Sequence, residues 1–573
     1  MTRLNMRDEF LIPRRWLSIG LAVAGMTGLH AWAQALPDAG SIRQQIEPSR
    51  ALPLPPAAPP QRVAPTPEIK PLVGMTVTVK SFQLSGHRLL STEELMPALA
   101  EFVGRTLDFA GLQRATDAVA AAYRESGWLA RVYLPEQDIS EGTITLQVVE
   151  ARFAGLRLEG EPSKRVLSSD IQAFFEEQQK TGEPLNTLAL DRALLLADDL
   201  PGISVAGTLV PGQAEGETGL AIQTSEEALV FGDVTLDNTG ARSTGSNRVM
   251  LNLNINSPGD HGELINLTAL RTQGSAYVRL GLTVPVGYNG LRFGFNGSTM
   301  NYKVIDGPSS LVSLNVQGSS DSIGLDWSFP VVRQRMRNLY FSGGLDNKRF
   351  YNDSINKTSA TNSYADYETN SLKLGFSGNV FDDLGGGGAN SASLQVVQGQ
   401  LARVKAHTQI DTLGRDYIKF NYALSRQQSL TKDHSLLLNL QGQHATQLLD
   451  SSEKFYIGGA STVRAYPSSE LGGERGQLLT GEWRWRLHAA WLLSGFIDQA
   501  WVTALPTTAA DASTPSSLRG YGLSAAWQGP LGLNAKLTWS QREGSNPKPT
   551  ATGTDGDGTL LINRIWFTAG LSF

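Results

Sequence analysis

The chain has 573 residues, of which 41% are hydrophobic, 18% are charged and 59 are glycine, so its composition suits several domains of short strands better than an all-helical fold. Its 49 Lys and Arg residues are outnumbered by 54 Asp and Glu residues, and a net charge of -5 argues against nucleic acid as a partner. The absence of cysteine excludes disulfides, a thiolate nucleophile and any cysteine-based metal site.

The N-terminus has the pattern of a secretory signal peptide. Arg14 and Arg15 precede an apolar run over residues 16–29, and an Ala-Trp-Ala tripeptide ending at Ala33 supplies the small residues of a cleavage site. We therefore expect residues 1–33 to be removed. The alternative is a membrane anchor, but a spanning helix needs about 20 unbroken apolar residues, and glycines interrupt this run. No later segment predicts a spanning helix, so any further membrane crossing must use strands.

The segment over residues 34–72 is expected to contain a short helix and a linker. Asp38 can cap a helix over residues 37–47, in which Ile42 and Ile46 lie on one face. An unstructured tail is an equally good interpretation, because isolated helices of this length are marginal in water. Prolines crowd the remainder of the segment, which predicts an extended, partly polyproline II linker.

A repeated pattern follows in residues 73–151 and 152–227. Each copy has the order strand, helix, helix, strand, strand. The first copy begins with a predicted strand over residues 75–85, and Ser91 with Glu94 has the spacing of a capping box that opens a helix. The other predicted elements are a helix capped by Asp108, strands over 129–134 and 142–150, and, in the second copy, helices over 169–179 and 187–199 and strands over 203–210 and 219–224. Their apolar stripes are interpreted as core faces and not as catalytic sites.

The remaining residues, 228–573, alternate in the way a membrane-spanning β-barrel requires. For example, Val278, Leu280 and Leu282 alternate with polar or small residues such as Arg279. The segment is long enough for about 16 antiparallel strands, at roughly 20 residues per strand and connection. A soluble β-sandwich also alternates, but it would not need so many polar side chains facing a common interior.

The last predicted strand places five residues on one face: Ile565, Phe567, Ala569, Leu571 and Phe573. The chain is thus expected to end with an exposed aromatic residue on a sheet edge. This ending resembles the C-terminal insertion signal of outer-membrane barrels, which would make Phe573 part of that signal.

Longer motifs resemble a known family. The run VYLPEQDISEG at residues 132–142 and the VVE at 148–150 are similar to the end of the first polypeptide-transport-associated (POTRA) domain of two-partner secretion transporters. The run LDRALLL at 190–196, followed by LPG at 200–202, is similar to the second POTRA domain. The family is the TpsB type, that is, the ShlB/FhaC/HecB-like haemolysin secretion/activation proteins.

The resemblance implies the whole architecture. We expect a transmembrane β-barrel of about 16 antiparallel strands, preceded by two small α+β POTRA domains and an N-terminal plug helix. The implied domains are the signal peptide (1–33), the plug helix and linker (34–72), POTRA domain 1 (73–151), POTRA domain 2 (152–227) and the barrel (228–573).

A segment that includes Val463, Arg464 and Tyr466 resembles the tip of the sixth extracellular loop of this family, which folds back into the barrel. The family tip reads Val-Arg-Gly-aromatic, and Ala465 takes the place of the glycine here. Since glycine adopts a positive φ far more easily than alanine, this departure leaves the conformation of the tip open.

The resemblance also implies that Arg464 meets an acidic residue on the inner wall of the barrel. Asp498 is the expected partner, because its segment is similar to the aromatic-x-Asp-x-Gly strand motif of the family, with Ala500 in place of the glycine. Without the resemblance, an arginine and an aspartate on separate segments would more often be two solvated surface charges.

The expected function is protein export and not catalysis. The seven histidines are scattered and form no catalytic or metal-binding motif, so no catalytic, cofactor-binding or metal-binding residue is assigned and no cofactor is expected. The resemblance implies a bacterial outer-membrane protein with periplasmic POTRA domains. Its expected partners are a secreted client protein with an N-terminal secretion domain, outer-membrane lipid and the barrel assembly machinery. The alternatives are an insertase that assembles other barrels and a passive porin.

Overall fold

The computed structural model of the chain describes residues 37–47, 76–308, 312–356, 361–406, 416–506 and 513–573. The predicted signal peptide and the proline-rich linker lie outside the described residues. In the described part of the chain, no helix is long and apolar enough to cross a bilayer.

The first element is the helix α1 (Ala39–Ile46), which begins at a reciprocal capping box. Asp38 Oδ1 accepts a hydrogen bond from the backbone N–H of Ser41 at 2.8 Å, and Ser41 Oγ accepts one from the N–H of Asp38 at 3.2 Å. Asp38 is therefore the N-cap that the sequence predicts.

The next unit is a small α+β domain with a sheet of order β2-β5-β4, in which β2 is parallel to β5 and β4 is antiparallel to it. Its elements are β1 (Thr76–Thr78), β2 (Ser81–Ser85), α2 (Thr92–Leu99), β3 (Thr106–Asp108), α3 (Phe109–Glu125), β4 (Ala130–Tyr133) and β5 (Thr143–Glu150). Ser91 and Glu94 form the predicted capping box of α2, and Asp108 caps α3. One face of each helix packs on the sheet in a single apolar core.

One predicted strand of this unit is wrong. Residues 75–85 were expected to form a single strand, whereas the chain forms β1 and β2 and changes partner between them. The strand β1 pairs with β3, and β2 pairs with β5. The apolar alternation changes phase at this break, from Val77 and Val79 to Phe82 and Leu84, and this shift marks the change of partner.

The second unit repeats the topology of the first. Its sheet has the order β6-β8-β7, again with one parallel and one antiparallel pair. Its elements are β6 (Arg152–Glu159), α4 (Ser168–Gln178), α5 (Thr187–Asp198), β7 (Ile203–Pro211) and β8 (Glu217–Glu226). A separate apolar core holds these elements together, as expected for a repeated domain.

The rest of the chain forms a closed antiparallel barrel of 16 strands, which confirms the predicted architecture. The barrel strands are β9 (Val230–Asp237), β10 (Arg248–Asn256), β11 (Leu264–Arg271), β12 (Ser275–Val286), β13 (Leu291–Lys303), β14 (Gln317–Arg333), β15 (Arg337–Asn356), β16 (Thr361–Asp382), β17 (Gly388–Ala406), β18 (Asp416–Ser429), β19 (His434–Ala445), β22 (Arg475–His488), β23 (Trp491–Ala504), β24 (Thr514–Gln528), β25 (Leu533–Glu543) and β26 (Asn563–Ser572). The loop between β19 and β22 carries β20 (Phe455–Ile457) and β21 (Leu471–Gly473), and 3₁₀ turns lie at Arg242–Thr244, Leu384–Gly386, Ser451–Glu453 and Pro530–Gly532.

The two faces of the barrel wall differ as the alternation predicts. Leu280 is 57% exposed on the outer face, and Trp483 is also exposed there. Glu482, the neighbour of Trp483, is buried on the inner face. A soluble sandwich is excluded because the sheet closes on itself and leaves no second sheet to cover the apolar face.

The barrel closes between its first strand and its last, which corrects one expectation about the C-terminus. The backbone N–H of Phe573 donates to the carbonyl of Gly232 at 3.0 Å, and the N–H of Gly232 donates to the carbonyl of Phe573 at 2.9 Å. Phe573 is exposed, as predicted, but it is not on a sheet edge, because β9 lies beside it.

Because β9 follows β8 directly, the barrel strands run alternately away from the second unit and back toward it. We call the barrel end that adjoins the second unit proximal and the opposite end distal. The turns over residues 257–263, 287–290 and 334–336 are proximal, and the loop over residues 446–474 is distal.

Candidate functional site: the barrel lumen

The helix α1 lies inside the barrel, against one part of its wall. Ala39 and Ile42 are buried in an apolar cluster with inward-facing side chains of the strands β11, β12, β13, β15, β16 and β17. These wall residues come from the distal halves of their strands; Tyr302, for example, is next to the last residue of β13. The helix therefore occupies the distal half of the lumen.

Arg43 follows Ala39 by one turn of α1 and bonds to the polar lining of the barrel. The Arg43 guanidinium donates to the hydroxyls of Ser320 at 3.1 Å, Ser322 at 2.6 Å and Ser298 at 3.0 Å. It also pairs with Glu47 one turn along the helix at 2.9 Å. Three wall hydroxyls and one carboxylate thus satisfy a buried arginine without a matching acid on the wall.

Glu47 extends this polar contact toward β12. It accepts a hydrogen bond from the hydroxyl of Tyr277 and lies 3.5 Å from the Arg279 guanidinium. Burial raises the pKa of Glu47, but Arg43, Tyr277 and Arg279 outweigh the burial and leave this pKa below its usual value. The carboxylate form of Glu47 therefore holds the end of α1 in place.

The distal loop supports the helix from the other side, through the 3₁₀ turn Ser451–Glu453, which we call the helix seat. Ser451 Oγ donates to Asp38 Oδ1 at 2.8 Å, and the Gln44 amide donates to the carbonyl of Ser452. Gly40 lies so close that a Cβ there would be 2.5 Å from Ser451 Oγ and 2.7 Å from the backbone N of Ser452. Only a residue without a side chain fits at this contact.

The same loop folds back into the barrel and ends in a tight turn, which we call the loop tip. The N–H of Tyr466 donates to the carbonyl of Val463 at 3.1 Å, so Arg464 and Ala465 are the central residues of the turn. Neither has a positive φ, as in a type I turn, which explains why alanine is accepted in place of glycine. The Ala465 methyl fits because Gly520 on β24 has no side chain; a Cβ there would lie 2.4 Å from it.

Arg464 points into a buried acidic site on β22 and β23. Its Nε and Nη2 donate to the two carboxylate oxygens of Asp498 at 2.9 and 2.8 Å, and its Nη1 donates to Glu482 at 2.9 Å. The guanidinium carbon lies 3.2 Å from the centre of the Phe496 ring. Arg464 and Glu482 are each 7% exposed and Asp498 is 1% exposed, so the arrangement is a buried ion-pair cluster.

The backbone of the tip is held as well. The carbonyl of Arg464 accepts hydrogen bonds from Ser540 Oγ at 2.6 Å and Trp566 Nε1 at 2.7 Å. Tyr466 is buried, and its hydroxyl lies 3.5 Å from the carbonyl of Glu543. Val463 is also buried, so all three residues of the predicted tip contact the barrel interior.

The second unit is fastened to the proximal rim by two bidentate ion pairs. Arg333 donates to both carboxylate oxygens of Asp199 at 2.8 Å each. Arg335 donates to both oxygens of Asp191 at 3.1 and 3.0 Å. On the other side of this unit, His261 Nδ1 lies 2.7 Å from Asp170. The unit therefore contacts the turns after β10 and β14.

Sequence reasoning assigned Arg464 and Asp498 to one site, and the structure brings them together. The sequence did not predict that Glu482 is a second partner of Arg464. It also did not predict the contact between Gly40 and the helix seat. A signal for Glu482 was present, since it alternates with the outward-facing Trp483 and so faces the lumen. No local signal marks Gly40. In the described part of the chain, no group of three His, Asp or Glu residues could hold a metal ion.

Comparison with protein families gives two matches. The family described as haemolysin secretion/activation protein ShlB/FhaC/HecB matches residues 216–524, which is more than half of the chain. The family described as POTRA domain, ShlB-type, matches residues 77–151, which is the first unit.

Individual proteins that are similar to this chain are also outer-membrane or heme/hemopexin transporters. The chain is 23% identical over 498 residues to the heme/hemopexin transporter protein HuxB of Haemophilus influenzae (strain 86-028NP), a match that covers 84% of this chain and 85% of that protein. It is 24% identical over 487 residues to the outer membrane transporter CdiB of Dickeya dadantii (strain 3937), covering 82% of each. Among solved structures, CdiB from Escherichia coli has the same fold, with a TM-score of 0.67, 21% identity and coverage of 89% of this chain and 94% of that one.

Proposed function

Because this chain belongs to the ShlB/FhaC/HecB family of haemolysin secretion/activation proteins, we propose that its barrel passes an unfolded client from the periplasm to the cell surface. The family consists of outer-membrane transporters of secreted partner proteins, and its POTRA domains lie in the periplasm. The proximal end of the barrel is therefore periplasmic and the distal end is extracellular.

One observation carries the proposed mechanism: a closed barrel holds α1 in its lumen, and the helix is tied to the first POTRA unit by residues 48–75. A proline-rich chain of that length can reach about 80 to 90 Å, at roughly 3.1 Å per residue. The apolar band of such a barrel is only about 25 Å tall. The helix can thus leave the lumen while both POTRA units remain in place, which is what a removable plug requires.

Edge strands of the POTRA units are the proposed capture site. An extended client can add to an exposed edge through main-chain hydrogen bonds, which recognise an unfolded chain more than a particular sequence. The strand β7 is an edge of its sheet, and its residues Ile203–Pro211 include no charged side chain of the kind that usually protects an edge. It starts beside the proximal rim, because Gly202 lies against Asn256 and Ser257.

Membrane assembly supplies the other proposed partners. The exposed residues of β26 face the position of outer-membrane lipid, and the exposed aromatic residue Phe573 follows the strand directly. We propose that this strand is the segment which the barrel assembly machinery recognises.

A transporter that works by client folding outside the cell needs no catalytic site, and we propose no enzymatic activity. The lumen helix favours secretion over a passive porin, because a permanently open pore would have no use for a plug.

The test uses the full chain together with its secreted client, which is to be identified first as a large secreted protein whose surface export depends on this chain. A photo-crosslinking residue in place of the exposed Thr208 on β7 should capture the client during export, and the same residue in place of Glu125, at the end of α3, should not. The client should reach the cell surface only when the chain is present. The proposal fails if the client reaches the surface equally well without the chain.

A further inference from the structure

The distal loop carries a second buried ion cluster, which shares no residue with the cluster around Arg464. Glu453, the last residue of the helix seat, is 3% exposed. Its Oε1 accepts a hydrogen bond from Lys348 Nζ at 2.8 Å, and its Oε2 lies 2.8 Å from Lys419 Nζ. Lys348 is on β15 and Lys419 is on β18, so one carboxylate from the loop joins two non-adjacent strands of the wall.

The backbone of Glu453 is held by the same part of the wall. Its carbonyl accepts hydrogen bonds from Lys419 Nζ at 2.8 Å and from the Gln443 amide at 2.9 Å. Gln443 in turn accepts a hydrogen bond from Lys419 at 3.2 Å. Burial raises the pKa of the Glu453 carboxyl, but Lys348 and Lys419 outweigh it and hold this pKa below its ordinary range. The loop thus enters the lumen with a charged residue fixed at both its side chain and its carbonyl.

The helix seat contains both the residues that contact α1 and the carboxylate of this ion cluster. Ser451 and Ser452 contact α1 at Asp38, Gly40 and Gln44, and the next residue is Glu453. Lys348 and Lys419 make no hydrogen bond or ion pair with α1 among the described residues. Apart from the repulsion between the charges of Lys348 and Arg43, they act on the helix through the turn. The loop tip is fixed separately, on β22 and β23.

We propose that Glu453 is a second anchor of the distal loop, and that with Lys348 and Lys419 it positions the helix seat and so keeps α1 in the lumen. This inference rests on the proposed role of α1 as a plug. Without its carboxylate, the seat loses its charged link to the wall, and two buried lysines are left facing each other without the acid between them. The seat then moves, and the contacts at Gly40 and Gln44 move with it. Glu453 acts through the seat and is therefore a positioning residue.

The first measurement is ion conductance of the full-length protein in planar bilayers. Glu453→Gln removes the charge at constant shape and should raise the fraction of time that channels are open by about tenfold, since loss of a buried charge partner shifts a two-state equilibrium by at least that factor. Lys348→Met should act in the same direction. The matched control is Arg426→Gln, which breaks the ion pair of Arg426 with Asp382 near the proximal end. Glu453→Asp, which keeps the charge, should recover part of the closed state.

The second measurement reports on the helix seat itself. The chain has no native cysteine, so a disulfide between Gln44→Cys and Ser452→Cys reports only this contact. Its yield should fall when Glu453→Gln is added and stay unchanged with Arg426→Gln. Heat-modifiable electrophoretic mobility shows that each variant has a folded barrel, and if Glu453→Gln does not fold, Lys348→Met replaces it in both assays.

The two assays separate this inference from the proposed function. If deletion of residues 37–47 raises conductance but Glu453→Gln changes neither conductance nor disulfide yield, the second anchor is refuted and the plug stands. If that deletion leaves conductance unchanged, the plug role is refuted, and the disulfide yield still decides whether Glu453 positions the seat.

Discussion

Arg464 binds two carboxylates, and they depend on it to different degrees. Asp498 accepts hydrogen bonds from Nε, from Nη2 and, at 3.2 Å, from the backbone N–H of Arg464, and it is almost fully buried. Glu482 accepts one from Arg464 and a second from Arg484 at 2.9 Å. Loss of Asp498 therefore removes most of the neutralising contact, while loss of Glu482 leaves the main pair intact.

We expect Asp498→Asn to unseat the loop tip and Glu482→Gln to do so much less. Removal of one partner from a well-buried pair costs about 3 to 5 kcal/mol, because the remaining charge stays desolvated. Trypsin cleavage after Arg464 measures the change, since this residue is buried in the seated tip. Client secretion should fall in the same order. Glu543→Gln is the control, because it breaks only an exposed pair with Arg519. Equal trypsin resistance of Asp498→Asn and the unchanged chain would contradict the prediction.

The helix α1 is an element that would be unstable alone in water and is stabilised by its contacts inside the barrel. Eight residues are too few for a stable helix in water, even with the capping box at Asp38. Its stability in the barrel comes from the buried Ala39 and Ile42, from the hydroxyls around Arg43 and from the close contact at Gly40. Such a helix is ordered only where it is bound, and it loses its order when it leaves the lumen.

Gly40→Val is expected to release α1 from the lumen. Valine is a better helix former than glycine, so intrinsic propensity alone would strengthen the helix. Its side chain, however, has no room against Ser451 and Ser452. The open-channel conductance of the full-length protein should rise toward that of a variant without residues 37–47, with barrel folding unchanged. Gln45→Ala is the matched control on the same helix. A closed channel in Gly40→Val would show that the helix does not need this contact.

At the scale of the whole molecule, the second POTRA unit is docked on one side of the proximal rim. Its ion pairs reach the turn after β14, and Asp170 meets His261 in the turn after β10. The hydrogen bond from His261 to Asp170 raises the pKa of this histidine. If β7 captures the client as we propose, this docking keeps the client at a fixed position relative to the barrel entrance.

Arg333→Gln should loosen this docking. Arg333 is 4% exposed and makes both bonds to Asp199, and a neutral amide cannot replace a bidentate pair. Spin labels at Glu176→Cys in α4 and Lys432→Cys in a proximal turn give the distance between the unit and the barrel. The distance distribution should broaden and the rate of client secretion should fall, whereas Arg519→Gln should leave the distribution narrow. A distribution that stays narrow in Arg333→Gln would mean that other contacts suffice for docking.

Features that depend on near neighbours along the chain could be predicted from the sequence. The helix starts at Asp38, Ser91 and Asp108 follow from side chains that bond three residues ahead, and the faces of the barrel strands follow from a period of two. Arg464 and Asp498 each lie in a short motif that resembles a family motif, so both residues could be predicted from the sequence. These signals lie within a few residues of each other, so they can be read along the chain.

Contacts between residues that are distant in sequence could not be predicted in this way. Three contacts join segments whose pairing cannot be predicted from alternation or helix caps. They are the separate pairing of β1 and β2 with β3 and β5, the hydrogen bonds between Phe573 and Gly232, and the contact of Asp38 with Ser451. The same holds for the carboxylate of Glu453 between its two lysines. The physical reason is that such contacts depend on strand register around the whole barrel and on the path of one long loop. Both are set by closure of all sixteen strands together, and no short segment of the sequence contains them.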